Sequence, residues 1–187
     1  MWPIQFTINQ HFMKIILLGY MGSGKSTVAQ ELAAALDLPF TDLDDYITEQ
    51  DNMSIKDIFK AKGEIYFRLQ ESKYLKELLG HQNDMVLALG GGTPCYANNM
   101  ELIKKEGLAF YLKGSIATLC QRLRSEKQQR PLIASLNNEQ LTEFVAKHLF
   151  ERRNFYEQAS QVINIDNKSV QELLAELISR VGAHYSK

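Results

Sequence analysis

The chain has 187 residues, 45% of them hydrophobic and 23% charged, a balance that belongs to a folded domain and excludes a disordered segment. Lys and Arg number 21 against 22 Asp and Glu, so no overall field would draw the chain to nucleic acid or to an anionic membrane, and neither is expected as a partner. The length suits one domain with inserted flaps and allows a substantial core.

The opening twelve residues, MWPIQFTINQHF, have neither the basic start nor the long apolar stretch of a signal peptide. No apolar run approaches the roughly 18 residues that a membrane-spanning helix needs. Cys95 and Cys120 stand in no metal-binding spacing, and His11, His81, His148 and His184 are scattered. Buried, reduced thiols in a cytoplasmic protein are therefore expected. Met13 directly precedes the first strand and is a second possible start, which sets residues 1–12 apart as an extension and leaves a domain over 13–187.

KIILLG, from Lys14, is short, β-branched and ended by glycine, the pattern of a buried strand. Helical spacing follows from Ser26 to Leu36. LPFTDLD offers a second strand around Phe40, and DMVLALGGG a third, closed by glycines. GLAFYLKG from Gly107 and QVINID from Gln161 add two more, with helical segments near 98–106, 115–125, 138–159 and 169–181. SIKD at Ser54 and SVQE at Ser169 have capping-box spacing. This alternation predicts an α/β fold with a parallel sheet covered on both faces. SEKQQRPLIASLNN, residues 125–138, is polar and without a period, and is expected to form a surface loop long enough to serve as a lid.

Between the first strand and the first helix lie Gly19, Gly24, Lys25 and Ser26 in the spacing GxxxxGK[ST]. Glycines there let successive amides turn inward, so that Gly22 to Thr27, Ser23 included, form an anion nest at a helix N-terminus. Lys25 would reach the β- and γ-phosphates of ATP and the Ser26 hydroxyl would ligate Mg²⁺. The alternative is a tight turn with a solvated lysine. Switch GTPases share this cradle but need an NKxD motif, which the chain lacks.

The acceptor must be sought elsewhere. FTDLDDY places Asp42 and Asp44 two apart, and on an extended segment both would face the sheet edge where α/β folds bind ligands. Two carboxylates there suit a metal and a proton acceptor, although Asp42, Asp44 and Asp45 could equally cap the next helix. GEIYFRLQESKYL sets Arg68 and Glu71 on one helix face, a spacing that often marks only a surface pair. Gly90, Gly91 and Gly92 are more glycines than a turn requires and point to close backbone approach by a ligand, with a flexible loop as the alternative. Arg130 lies within the expected lid and Arg152 and Arg153 late in a helix, where a planar guanidinium suits carboxylate or phosphate.

Taken together, GYMGSGKST, FTDLDDYI, SIKDIF, GEIYFRLQE, LALGGG, QRPL and RRNFYEQAS closely resemble the motifs of the shikimate kinase family, in the family's order and from about Lys14 onward. The resemblance implies a single-domain P-loop kinase with a five-stranded parallel sheet in the order 2-3-1-4-5. It implies transfer of the ATP γ-phosphoryl group to the 3-hydroxyl of shikimate, in aromatic amino-acid biosynthesis, by a monomer that uses Mg²⁺. A gluconate kinase of the same fold is the nearest alternative. By motif match, Asp44 corresponds to the acid on the substrate hydroxyls and Asp42 to the acid near Mg²⁺. Arg68, Arg152 and Gly90 to Gly92 match substrate-binding positions in a region of about 42–80 and beyond it. Phe59, Phe67 and Glu71 match the pocket around the ring, Arg130 the lid arginine, and Arg122 the arginine packed on adenine.

Overall fold

Lys14–Leu18 form β1, and its residues Ile15 to Leu18 are wholly buried, as a strand covered on both faces requires. The structure, a computed structural model, describes residues 12–127, 130 and 132–185. After β1 come α1 (Lys25–Leu36), β2 (Phe40–Asp42), α2 (Leu43–Asp51), α3 (Ile55–Gly80) and β3 (Met85–Ala88). A short 3₁₀ turn (Thr93–Cys95) leads to α4 (Asn99–Glu106), β4 (Leu108–Lys113), α5 (Ile116–Glu126), α6 (Asn138–Tyr156), β5 (Gln161–Asn164) and α7 (Val170–Tyr185).

The five strands pair in parallel in the order β2-β3-β1-β4-β5, as expected from the resemblance. Ile16 lies opposite Leu87 of β3 on one side and Ala109 of β4 on the other. The strand order changes direction at β1, so its C-terminal end faces the crevice in which open α/β sheets bind ligands. The loop after β1, the start of α2 and the glycines after β3 all open onto that edge.

Helix starts are made as the sequence predicts, with one difference. At Ser169 both halves of the capping box form: its amide donates to Glu172 Oε2 at 2.8 Å, and the Glu172 amide donates to Ser169 Oγ at 3.3 Å. At Ser54 only one half forms, because Asp57 accepts the Ser54 hydroxyl at 2.6 Å and not the Ser54 amide. Asp is one methylene shorter than the Glu of a full box. Asn137 and Gln140 make a further reciprocal box at the start of α6.

Helix α3 is bent at Gly63, whose φ of 83° and ψ of 172° break it into two stretches. Asp51, the last residue of α2, ties them together. It accepts the Tyr74 hydroxyl at 2.8 Å and the Tyr66 hydroxyl at 3.0 Å, while Lys62 Nζ donates to Tyr66 at 3.0 Å. The segment expected as a lid connects α5 to α6 and is anchored by Ile133, which is fully buried. Within that segment Gln128, Gln129 and Pro131 lie outside the described residues, as do 1–11 of the expected extension. Cys120 is buried and Cys95 half-buried, both as free thiols, so the expectation of two buried thiols holds for one of them.

Candidate active site

The loop between β1 and α1 has the backbone that its glycines permit. Gly24 caps α1 with φ at 86°, a left-handed conformation that a side chain would strain. The first-turn amides of α1 stay free of side-chain caps, which leaves donors and the positive end of the helix for an anion. Lys25 is buried and its Nζ donates to the Tyr20 carbonyl at 3.1 Å. Burial pulls its pKa down to about 8, against the opposing pull of Asp44 and Asp42. Ser23 is fully buried, and its Oγ has no partner among the described residues.

Asp42 and Asp44 do come together at the sheet edge, but not by strand alternation. Strand β2 ends at Asp42, which is the N-cap of α2, and Asp44 sits in the first helical turn. Asp42 Oδ1 accepts the Asp44 amide at 2.9 Å, and its Oδ2 accepts the Ser26 hydroxyl at 2.5 Å. The capping role and the phosphate-site role thus fall on two oxygens of one carboxylate. Asp44 Oδ1 is shut off from solvent and has no hydrogen-bond partner among the described residues. Burial, with Glu71 and Asp42 nearby, pushes the Asp44 carboxyl up to about 7.

Beyond these acids, Arg68 and Glu71 form a pair that is not a surface link. Arg68 Nη1 meets Glu71 Oε2 at 2.6 Å, and the side chains are only 18% and 1% exposed. The second Glu71 oxygen accepts the Thr93 hydroxyl at 2.6 Å. A Cβ at Gly90 would lie 2.8 Å from both Asp44 Oδ1 and Glu71 Oε1, and one at Gly92 would overlap the Arg68 guanidinium. The run of glycines therefore lets protein side chains approach the backbone, in addition to any ligand. Arg152 reaches the same turn from α6, its Nη1 lying 3.4 Å from the Gly91 carbonyl. Phe59 and Phe67, on opposite sides of the Gly63 bend, stack with ring centroids 4.7 Å apart.

A cleft of about 360 Å³ joins these parts, lined by Gly22, Gly24 to Thr27, Asp42, Asp44, Gly90, Gly91, Arg122 and Arg130. Arg122 donates to the Ser23 carbonyl at 3.3 Å, beside the phosphate loop. Arg130 is paired with Glu126 at 2.5 Å on the opposite wall. Of the residues singled out from sequence, these line the cleft, and Arg68, Glu71, Gly92 and Arg152 meet at the glycine turn next to it; Phe59 and Phe67 are not among the lining residues and stack on each other. Arg153 does not join them and pairs with Glu157 on the surface. Sequence inspection missed Thr93 and Tyr156, whose hydroxyl donates to the Gly91 carbonyl at 2.5 Å. Thr93 follows the glycines directly and could have been found there; Tyr156 lies within RRNFYEQAS, but nothing local points its hydroxyl at Gly91.

A phosphate cradle that opens onto a recessed acid flanked by two arginines defines a P-loop kinase acting on a small, anionic alcohol. Comparison narrows the class. The family model for shikimate kinase matches residues 21–182. A shikimate kinase of Flavobacterium johnsoniae is 47% identical over 166 residues, covering 88% of this chain and 96% of the relative. Among solved structures, shikimate kinase from Bacteroides thetaiotaomicron superposes with a TM-score of 0.84 at 34% identity, over 90% of this chain and 98% of that one. Shikimate kinase from Acinetobacter baumannii, in complex with shikimate, gives a TM-score of 0.83 at 32% identity, over 94% and 96%. The chain belongs to the shikimate kinase family.

Proposed function

We propose that the chain transfers the γ-phosphoryl group of ATP to the 3-hydroxyl of shikimate, giving shikimate 3-phosphate and ADP. The observation that carries the assignment is the turn Gly90–Gly92, onto which Asp44, Glu71, Arg68 and Arg152 converge at the mouth of the phosphate cradle. A ring bearing one carboxylate and several hydroxyls matches two guanidinium groups and two acids. Arg68 and Arg152 hold the carboxylate from the far side, which turns the reacting hydroxyl toward Asp44.

Phosphoryl transfer asks for positioning and charge stabilisation more than for covalent help. Lys25, Arg130 and the loop amides gather the charge of the transferred group. Asp44, which lines the cleft, accepts the hydrogen bond of the acceptor hydroxyl and takes its proton as the new O–P bond forms and the bond to ADP breaks. The raised pKa, about 7, makes it a base that can hold that proton at neutral pH. Ser26 Oγ and Asp42 Oδ2, 2.5 Å apart, are hard oxygen donors of the kind Mg²⁺ takes alongside water and phosphate oxygens. Bound there, Mg²⁺ supplies neutralisation of the phosphate charge. Arg122 packs against the adenine. No helix among the described residues is long and apolar enough to cross a membrane.

The test is turnover of ATP with shikimate, gluconate and AMP in parallel, read as ADP release. Shikimate should be preferred by orders of magnitude in kcat/KM. Equal or better use of gluconate would overturn the acceptor assignment, and ATP binding without turnover of any acceptor would overturn the kinase itself.

A further inference from the structure

Tyr20 follows Gly19 in the phosphate loop and is 1% exposed. Its three polar or electronic faces all have partners. The backbone carbonyl accepts Lys25 Nζ at 3.1 Å, the hydroxyl lies 3.2 Å from His148 Nδ1, and the ring lies under Arg152, whose Cζ is 5.6 Å from the centroid. His148 and Arg152 are one turn apart on α6, and the His148 ring is backed by Phe144 at 4.0 Å between centroids. Burial pushes the Tyr20 phenol up to about 12, so it remains a neutral donor. Burial and Arg152 hold His148 below its usual value, against Glu151, which favours the neutral ring; with the proton on Nε2, Nδ1 accepts the Tyr20 hydroxyl.

A buried tyrosine needs a partner for its hydroxyl, and a guanidinium gains from an aromatic face only while that face stays put. Here the partner and the guanidinium belong to the same helix. We infer that Tyr20 is a positioning residue for acceptor recognition: its ring, pinned by His148, seats Arg152 beside Gly91, so that the phosphate loop and the carboxylate-binding arginine move as one body. The inference rests on the proposed role of Arg152 toward the acceptor carboxylate. A tyrosine that merely filled the core would affect stability without affecting how the protein tells a charged acceptor from an uncharged one.

The experiment measures that discrimination directly. Calorimetry gives Kd for shikimate and for its methyl ester, which keeps the hydroxyls and loses the charge; the Kd of the ester divided by that of shikimate reports the hold on the carboxylate. Arg152→Ala should lower this ratio by about tenfold or more. Tyr20→Leu should lower it about fivefold, and Tyr20→Phe, which keeps the ring and loses the pin, about twofold. In the Arg152→Ala background, Tyr20→Leu should leave the ratio unchanged, because its effect passes through the arginine. If Tyr20→Leu folds poorly, Tyr20→Phe and His148→Gln read the same ratio with the ring in place. A wild-type ratio in the Tyr20 and His148 variants, with Arg152→Ala still deficient, overturns the positioning role alone. An unchanged ratio in Arg152→Ala overturns the assignment of the arginine and this inference with it.

Discussion

Ser26 and Asp42 are joined by a 2.5 Å hydrogen bond that links the first turn of α1 to the N-cap of α2. Because the other Asp42 oxygen caps α2, two variants separate its roles. Asn caps a helix about as well as Asp, so Asp42→Asn should keep the melting temperature but raise the Mg²⁺ concentration needed for half-maximal rate. Asp42→Ala should show the same Mg²⁺ defect and lose about 1 kcal/mol of stability besides. Mg²⁺ titrations and thermal melts check both.

Asp44 should set the acid limb of the pH profile. With its pKa at about 7, kcat/KM should fall below pH 7, and Asp44→Asn should cost about 10²–10⁴ in kcat with nucleotide binding intact. Excess Mg²⁺ should not rescue it. The same shift bears on stability. The folded pKa stands above the ordinary carboxylate value of 3.8, so folding favours the protonated form; the benefit is full below pH 4 and is lost as the pH rises to about 7. Asp44→Asn should therefore gain in melting temperature over the parent as pH increases from 4 to 7, and hold that gain above 7.

Lys25 should set the alkaline limb. Its pKa of about 8 means that the free protein loses this charge as pH passes 8, and kcat/KM for ATP should decline there. Bound phosphates favour the ammonium, so the corresponding limb in kcat should lie at higher pH. Profiles of the two parameters that coincide would contradict the burial argument.

Arg68→Ala and Arg152→Ala should both weaken shikimate binding, by about 1.5–3 kcal/mol each, with ATP affinity nearly unchanged. They should differ in stability. Glu71 is 0% exposed and keeps only Thr93 once Arg68 is removed, and an uncompensated buried carboxylate is costly. Arg152 leaves no such orphan, so only Arg68→Ala should lower the melting temperature by many degrees, and Arg68→Ala with Glu71→Gln should recover part of it.

A chain starting at Met13 should keep kcat/KM within about tenfold, or 1.4 kcal/mol, of the full chain. The Met13 amide donates to Asp84 Oδ1 at 2.7 Å and its carbonyl accepts the Met85 amide at 2.9 Å. A new amino terminus at that position keeps the donor and adds a charge beside Asp84.

The strands and the phosphate loop were legible because their signals are local: apolar runs ended by glycine, and a spacing that few other structures need. Asp42 and Asp44 were found for a partly mistaken reason, since a strand that ends at Asp42 places the next acid by helix geometry. The Arg68–Glu71 spacing looked like a surface pair because burial is decided by Thr93 and Gly92, residues more than twenty positions away. Tyr20, His148 and Tyr156 meet their partners only through the packing of α6 on the sheet edge, and no window of sequence contains both members of such a contact. The bend at Gly63 was hidden by strong helical residues on both sides.

Asp51 gives that bend a further significance. One carboxylate binds Tyr66 and Tyr74 from the stretch of α3 that carries Arg68, and lies 3.9 Å from Lys62 of the stretch that carries Phe59. Fraying from either end of α3 is thus opposed at the same point on α2, and the slowest amides of α2 and of residues 64–80 should exchange with solvent together, at one rate. The stretch of α3 that carries Arg68 would then open together with α2 as one unit and not turn by turn.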